Sequence, residues 1–172
     1  MSKISLIFYW VFFGVLNLKA SEYEITVLAT NTANFGGIGE WSFSALLESD
    51  DEKILFDTGF NENTVLHNAN LLGKDLSQVE KVILSHFHGD HTGGLIKLRK
   101  TFKEINPKAF STVYVADGFF EQRYDENGEL RGFIGGFNDV DNFLKETDDL
   151  GIRFVILKEP IEISKNLYLS GP

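Results

Sequence analysis

Three of the four histidines in this 172-residue chain lie close together in one short stretch. The stretch reads "SHFHGDHTGG", residues 85–94, and it contains His86, His88 and His91 with Asp90 among them. Neutral imidazole and carboxylate are suitable ligands for zinc, and also for iron or manganese. Two neighbouring cations can hold a shared hydroxide, because they lower the pKa of bound water to about 7. The cluster therefore predicts a metal site that activates water.

The elements around the stretch have to position these side chains. An apolar strand predicted at 81–85, "KVILS", leads directly into the cluster. Because side chains two apart in extended backbone point to one side, His86 and His88 can face one cation while Phe87 points into the core. Gly89 lets the backbone turn, so Asp90 and His91 can face a second cation beside the first. The alternative interpretation is a polar loop with helix-capping residues.

The chain contains no cysteine, so thiolates are excluded as metal ligands. Alternating apolar residues predict strands at 23–29, 42–48, 53–57, 81–85, 111–117, 152–157 and 166–170. Helical periodicity predicts helices at 62–72, 93–102 and 138–151. A glycine-rich loop is expected at 31–41, and Asn127-Gly128 predicts a hairpin turn. This order of elements indicates an α/β domain in which helices cover a sheet.

The N-terminus has the layout of a secretory signal peptide. Lys3 precedes the apolar run 4–16, and the small residue Ala20 offers a cleavage site. We therefore predict a signal peptide at 1–20, a domain at 21–172, and export to the periplasm or beyond, with no stable membrane span after cleavage. An uncleaved N-terminal anchor is the alternative. Cleavage removes Lys3 and Lys19, so the formal charge changes from −9 to −11; such a surface disfavours a nucleic-acid partner.

Two motifs together resemble those of a known family. "SHFHGDHTGG" resembles the signature of the metallo-β-lactamase superfamily, and "ILFDTG", 54–59, resembles its earlier aspartate motif. Within that superfamily the chain is most similar to the methanopterin-precursor-synthase-like branch of metal-dependent hydrolases. The resemblance implies a four-layer αββα sandwich with one or two zinc ions at one edge, iron and manganese being possible alternatives.

The resemblance also implies roles for individual residues. His86 and His88 would bind the first metal, and Asp90 and His91 the second. Asp90 would in addition steer or deprotonate the bridging water, which makes it the catalytic candidate. Asp57 would be no ligand; it would hydrogen-bond within the metal-bearing loop and fix its shape. The alternative for Asp57 is a plain turn aspartate.

The sequence departs from the family pattern after residue 91. Family sites are completed by later ligands, including histidines, and no histidine follows His91 here. The chain therefore resembles the N-terminal half of a family domain plus part of the second half. Three explanations stay open: a fragment or truncated gene product, a degenerate relative, or missing ligands supplied by a partner chain or by a second copy of the chain in a homo-oligomer.

These observations predict a metal-dependent hydrolase that acts on a small-molecule substrate with an ester, amide or phosphate-type bond. The alternatives are a mononuclear iron oxygenase on the same fold and a non-catalytic metal-binding domain. His67, in the middle of a predicted helix, is interpreted as a helix-surface histidine and not as a ligand. Trp41 has two interpretations, a flap over the substrate or an aromatic side chain packed on the sheet.

Overall fold

The computed structural model describes residues 23–121, 124–129 and 140–171. The strands are β1 (Glu24–Ala29), β2 (Ser44–Glu48), β3 (Lys53–Phe56), β4 (Val79–Ile83), β5 (Thr112–Ala116), β6 (Arg153–Leu157), β7 (Ile161–Ser164) and β8 (Leu167–Leu169). The helices are α1 (Thr64–Leu71), α2 (Gly89–Thr92), α3 (Leu95–Phe102) and α4 (Val140–Asp149). The predicted signal peptide, 1–20, lies outside the described residues.

Six strands form one mixed sheet in the order β1-β2-β3-β4-β5-β6. The first two pairings, β1 with β2 and β2 with β3, are antiparallel, and the remaining three are parallel. The parallel strands are connected through α1, through α2 and α3, and through α4. Because the carboxyl ends of parallel strands lie at the same edge, the segments after β3 and β4 meet there, and they carry Asp57 and the histidine cluster.

The two faces of this sheet are covered differently. On one face the helices bury the larger core, in which Leu55 of β3 packs with residues such as Leu98 of α3 and Phe143 of α4. On the other face the antiparallel β7–β8 hairpin packs on β3 and β4 through Ile54, Ile83 and Ile163. In the described residues, helices, sheet and hairpin thus form three successive layers. The α/β fold is confirmed, and these layers correspond to three of the four layers of the predicted αββα sandwich.

Most predicted elements are confirmed, with shifts of a few residues. The strand predicted at 81–85 runs from Val79 to Ile83, so the chain leaves the sheet two residues earlier than expected. Two elements were not predicted, the strand β7 and the four-residue helix α2. The glycine-rich loop 31–41 connects two antiparallel strands, as predicted.

Two features fall partly outside the described residues. The turn at Asn127-Gly128 is present, with Gly128 at φ 78° and its amide donating to the carbonyl of Asp125 at 3.0 Å, but the predicted hairpin from residue 130 onward lies outside the described residues. The same is true of positions 138 and 139 at the predicted start of the last helix. In the part of the chain that the structure describes, no helix has the length and apolar character needed to cross a membrane.

Candidate metal centre

The chain enters the site through an anchored aromatic side chain. Phe87 is buried, and its ring centroid lies 5.3 Å from that of Phe119 and 5.1 Å from that of Phe143. The next residue, His88, has extended backbone with φ −120° and ψ 150°. Phe87 therefore points into the core, as predicted, while the imidazoles of His86 and His88 are directed to the other side.

A single helical turn then carries the other two candidates. In α2, the backbone N–H groups of His91 and Thr92 both donate to the carbonyl oxygen of His88, each at 3.0 Å. Thr92 is buried and its hydroxyl donates to the same oxygen. This turn folds Asp90 and His91 back toward His86, where the sequence had predicted only a bend at Gly89.

The structure brings all four predicted ligand residues together. The ring centroid of His86 lies 4.5 Å from that of His88 and 4.1 Å from that of His91. The ligand atoms of His86, Asp90 and His91 all lie within 4.8 Å of one another. His88 is adjacent, since its Nδ1 lies 3.0 Å from Nε2 of His86.

The distances between donor atoms fit cation binding. Two ligands of a tetrahedral zinc ion, each about 2.0–2.1 Å from the metal, lie about 3.4 Å apart. Nε2 of His86 and Nδ1 of His88 are 3.0 Å apart, and Nε2 of His91 and Oδ2 of Asp90 are 3.5 Å apart. Each pair could therefore hold one cation, and each supplies two protein ligands to it.

The electrostatics of the cluster favour neutral imidazole. Burial lowers the pKa of His86, and the neighbouring His91 and His88 lower it further. A neutral ring keeps one nitrogen lone pair available, which is the form that coordinates a cation. His86 is thus prepared for metal binding by its surroundings.

Asp57 lies beneath the cluster and is almost fully buried, with 1% of its surface exposed. Its Oδ1 accepts the Ser85 backbone N–H at 2.8 Å, and its Oδ2 accepts from the Ser85 hydroxyl at 2.8 Å and from Nδ1 of His91 at 2.7 Å. Burial raises the pKa of Asp57, although these hydrogen bonds favour the charged form. A carboxylate bonded to one ring nitrogen leaves the other nitrogen to a metal.

The backbone around the cluster is closely packed. A Cβ atom on Gly93 would overlap the carbonyl oxygen of Phe60, and one on Gly94 would overlap that of Thr58. The amide of Thr58 donates to the carbonyl of His91 at 2.7 Å, and that of Gly93 to the carbonyl of Gly59 at 2.9 Å. The two glycines are therefore needed so that the turn after β3 can lie against residues 85–94. This stretch carries the candidate ligands and is called the metal-bearing segment.

Two residues of this edge, Ser85 and Glu40, were not predicted from the sequence. Ser85 contacts both Asp57 and His86, and Glu40 accepts hydrogen bonds from the hydroxyls of Ser42 and Thr64 and from the amides of Phe60 and Asn61. Ser85 is the first residue of the stretch "SHFHGDHTGG", and this position was the only available signal. Glu40 had none, because its donors are spread over more than twenty positions.

In the part of the chain that the structure describes, neither His67 nor Trp41 belongs to the group of candidate ligand residues. Nε2 of His67 lies 2.7 Å from the carbonyl oxygen of Gly36, so His67 joins α1 to the glycine-rich loop. Trp41 is 78% exposed, so the interpretation as a side chain packed on the sheet is wrong. The flap interpretation stays a prediction.

The fold and this cluster together define an α/β domain with a candidate metal site. The sequence profile of the Metallo-beta-lactamase superfamily matches residues 42–160, which include Asp57 and the whole histidine cluster. The match covers well over half of this chain, so the chain belongs to the metallo-beta-lactamase superfamily.

Individual relatives agree with this assignment. The 7,8-dihydropterin-6-methyl-4-(β-D-ribofuranosyl)-aminobenzene-5'-phosphate synthase of Methanocaldococcus jannaschii is 30% identical over 161 residues, 89% of this chain and 51% of the relative. Anti-Pycsar protein Apyc1 of Paenibacillus sp. is 32% identical over 131 residues, 72% of this chain and 47% of the relative. Among solved structures, Tm1679, a metal-dependent hydrolase of the beta-lactamase superfamily, matches with a TM-score of 0.61 and 30% identity, over 88% of this chain and 48% of its own.

The first of these relatives confirms the resemblance to the methanopterin-precursor-synthase branch that the motifs indicated. The chain spans about half the length of the curated relatives it matches.

Proposed function

We propose that the chain is a metal-dependent hydrolase of small molecules that carry an ester, amide or phosphate-type bond. The observation that supports this most is the spacing of the four ligand side chains in two pairs, 3.0 Å and 3.5 Å apart. In the proposal, His86 and His88 hold one cation, and Asp90 and His91 hold another. Zinc is the expected metal, since imidazole and carboxylate suit it, and iron and manganese accept the same ligands.

When bound, such cations lower the pKa of water to about 7 and stabilise negative charge that develops on a substrate oxygen. The protein residues supply the geometry for this chemistry. In the proposal Asp90 orients the attacking water through its second carboxylate oxygen and accepts its proton. Asp57 holds His91 in place from below, where water has no access to its carboxylate.

The proposed substrate class is defined by the bond that is hydrolysed. The two named relatives are a synthase of a phosphorylated aminobenzene compound and an anti-Pycsar protein, and their names have no substrate in common. The formal charge of −9 disfavours nucleic acids, because a polyanion is repelled by an acidic surface. A small molecule that carries little negative charge fits these constraints.

The test measures metal content and hydrolysis with the same purified chain. After loading with zinc, manganese or iron, the protein is assayed by elemental analysis and against generic carboxylic esters, amides and phosphodiesters. We expect the wild-type chain to bind metal and to turn over substrate. Relative to wild type, metal affinity and turnover should fall at least roughly 100-fold in His86→Ala and Asp90→Asn. His67→Ala is the matched control and should behave as wild type. If both site variants keep their bound metal and their turnover, the proposal is contradicted.

One observation favours a second candidate, a metal-binding domain without turnover. Each pair supplies two protein ligands, whereas catalytic zinc sites have three, and the remaining histidine, His67, lies against Gly36. Under this candidate the chain binds metal in a fixed ratio and hydrolyses none of the assay compounds. Dioxygen uptake by the iron-loaded protein would instead indicate the oxygenase alternative.

A further inference from the structure

We propose that Ser85 is a positioning residue whose hydroxyl fixes the tautomer of His86. Through this hydroxyl the single buried carboxylate of Asp57 orients one histidine of each metal pair, His91 directly and His86 by relay. The inference deepens the proposed function and rests on it for the assignment of the two pairs, whereas the hydrogen-bond argument needs no metal.

The directions of the hydrogen bonds follow from elementary donor and acceptor chemistry. A carboxylate can only accept, so the Ser85 hydroxyl donates its one proton to Oδ2 of Asp57 at 2.8 Å. The same hydroxyl oxygen lies 3.0 Å from Nδ1 of His86. Since its proton is already used, the oxygen must accept here, and Nδ1 of His86 carries the hydrogen. Nε2 of His86 is then the nitrogen with the lone pair.

His91 does not compete for the hydroxyl oxygen. Its Nδ1 lies 3.4 Å from the Ser85 hydroxyl and only 2.7 Å from Oδ2 of Asp57. Nδ1 of His91 therefore carries a hydrogen and donates it to the carboxylate of Asp57. Nε2 of His91 is then the nitrogen with the lone pair, as in His86. Both rings thus direct their Nε2 atoms away from Asp57 and toward the cluster.

The assigned tautomer matters because of what Nε2 of His86 faces. It lies 3.0 Å from Nδ1 of His88, the other ligand atom of the proposed first pair. A hydrogen on Nε2 of His86 would occupy the position that a cation has to take. Without the Ser85 hydroxyl, Nδ1 of His86 has no acceptor among the described contacts, so metal binding at this pair should weaken while the Asp90–His91 pair keeps its support.

The matched variants separate a tautomeric role from a structural one. Ser85→Ala removes the hydroxyl, and Ser85→Thr retains it. Ser44→Ala is the control, because the Ser44 hydroxyl is buried in the same network but donates to the backbone carbonyl of Asp57 at 2.8 Å. Ring nitrogen chemical shifts of the ¹⁵N-histidine-labelled, metal-free protein report the tautomer, and zinc affinity is measured by chelator competition.

We expect His86 to carry its proton on Nδ1 in wild type, Ser85→Thr and Ser44→Ala, and to lose this preference in Ser85→Ala. His91 should remain unchanged in all four proteins. Zinc affinity at one site should fall about 10- to 100-fold in Ser85→Ala and recover in Ser85→Thr. If Ser85→Ala keeps the Nδ1 proton on His86, or if Ser44→Ala shifts it as strongly, the proposal is wrong.

Asp57→Asn gives an independent test should Ser85→Ala fail to fold. With Oδ1 still accepting the Ser85 amide, the new NH₂ group faces the Ser85 hydroxyl and Nδ1 of His91. The Ser85 hydroxyl then accepts from this NH₂ group and donates its own hydrogen to Nδ1 of His86. Both histidines should therefore carry their protons on Nε2. Unchanged tautomers in this variant contradict the relay. A chain that never hydrolyses a substrate contradicts only the proposed function, since the tautomers are read without metal.

Discussion

Two segments at the same edge of the sheet are held in contrasting ways. The metal-bearing segment, 85–94, is fixed along its whole length by the buried ring of Phe87, the backbone bonds of α2 and the contact of Gly93 and Gly94 with the turn after β3. The glycine-rich loop, 31–41, is attached at separate points by Asn68, Glu40 and His67.

The side chains of the two segments differ accordingly. The candidate ligand side chains of the metal-bearing segment face one another at 3.0 and 3.5 Å, whereas Phe35 and Trp41 of the glycine-rich loop are exposed to solvent. Groups that coordinate a cation must be held within a fraction of an ångström, while a segment that contacts a substrate can adapt. Changes in the metal-bearing segment should therefore abolish metal binding, and changes at the attachments of the loop should leave it intact.

The largest effect is expected from Gly93→Ala. Gly93 has φ −61°, so alanine carries no conformational penalty there, but its Cβ would overlap the Phe60 carbonyl oxygen. The backbone has to move both at Gly93 and at Phe60. We therefore expect the free energy of unfolding to fall by at least about 3 kcal/mol and metal binding to be lost. Urea denaturation and zinc titration measure the two quantities.

Gly73→Ala is the matched control. Gly73 has a positive φ of 68° and open space where a Cβ would be, so only the backbone conformation is penalised. The cost should be about 1 kcal/mol, with normal zinc binding. Equal losses in the two variants would show that close packing at Gly93 is not what holds the metal-bearing segment.

Asn68→Ala should have the next largest effect. This buried side chain of α1 donates to the carbonyl oxygens of Leu28 and Ile38, at 2.7 and 2.9 Å, and accepts the amide of Ile38 at 2.9 Å. Alanine leaves these partners without their bonds, which should lower the free energy of unfolding by about 2–3 kcal/mol. Asn70→Ala, at an exposed position of the same helix, should cost under roughly 0.5 kcal/mol. Zinc affinity should be unchanged in both variants, and a loss in Asn68→Ala would remove the distinction between the two segments.

Glu40→Gln tests the attachment of the loop to the turn after β3, and its effect depends on pH. Burial raises the pKa of Glu40, but four hydrogen bonds outweigh it, so the pKa lies below the ordinary 4.5. The charged form therefore stabilises the fold, fully above pH 4.5, and this contribution is lost as the pH falls through the lowered value. At pH 7 the variant should be less stable by about 1–2 kcal/mol, since an amide accepts fewer bonds.

The control for Glu40→Gln is the same comparison of variant and wild type at low pH. At pH values below that lowered pKa, wild-type Glu40 is protonated, so the stability difference from the glutamine variant should decrease toward zero in urea denaturation. A difference that stays constant with pH would mean that the carboxylate charge is not the stabilising group.

The sequence predicted the elements whose pattern is local. The alternation of β5, in which Val113 and Val115 are buried, and the periodicity of α1 and α3 were visible because burial on one face selects residues at fixed intervals. The alternation in β1 also predicted a strand, although Ile25 and Val27 are exposed. The clustering of imidazoles was equally local, since the four ligand candidates are neighbours in the chain. Phe87 could be assigned to the core from its position between two histidines in extended backbone.

What the sequence did not predict depends on distant contacts. The strand β7, "IEIS", has an exposed Ile161 and Glu162 and is defined by pairing with β8 and by Ile163 packing on the far face of the sheet. The helix α2 is too short for any periodicity. The role of Glu40 depends on donors that only the folded chain collects, and no composition rule marks them.

The smallest effect is expected from His67→Ala, which breaks the most exposed attachment of the loop. Nε2 of His67 reaches the Gly36 carbonyl oxygen at 2.7 Å on the surface, where water can replace the lost partner. The free energy of unfolding should therefore change by less than about 0.5 kcal/mol. Amide hydrogen exchange should still accelerate around Gly36 and Gly37, with no change at 85–94. Faster exchange in both segments would show that they open together, and the contrast between a rigid metal-bearing segment and a separately attached loop would then be lost.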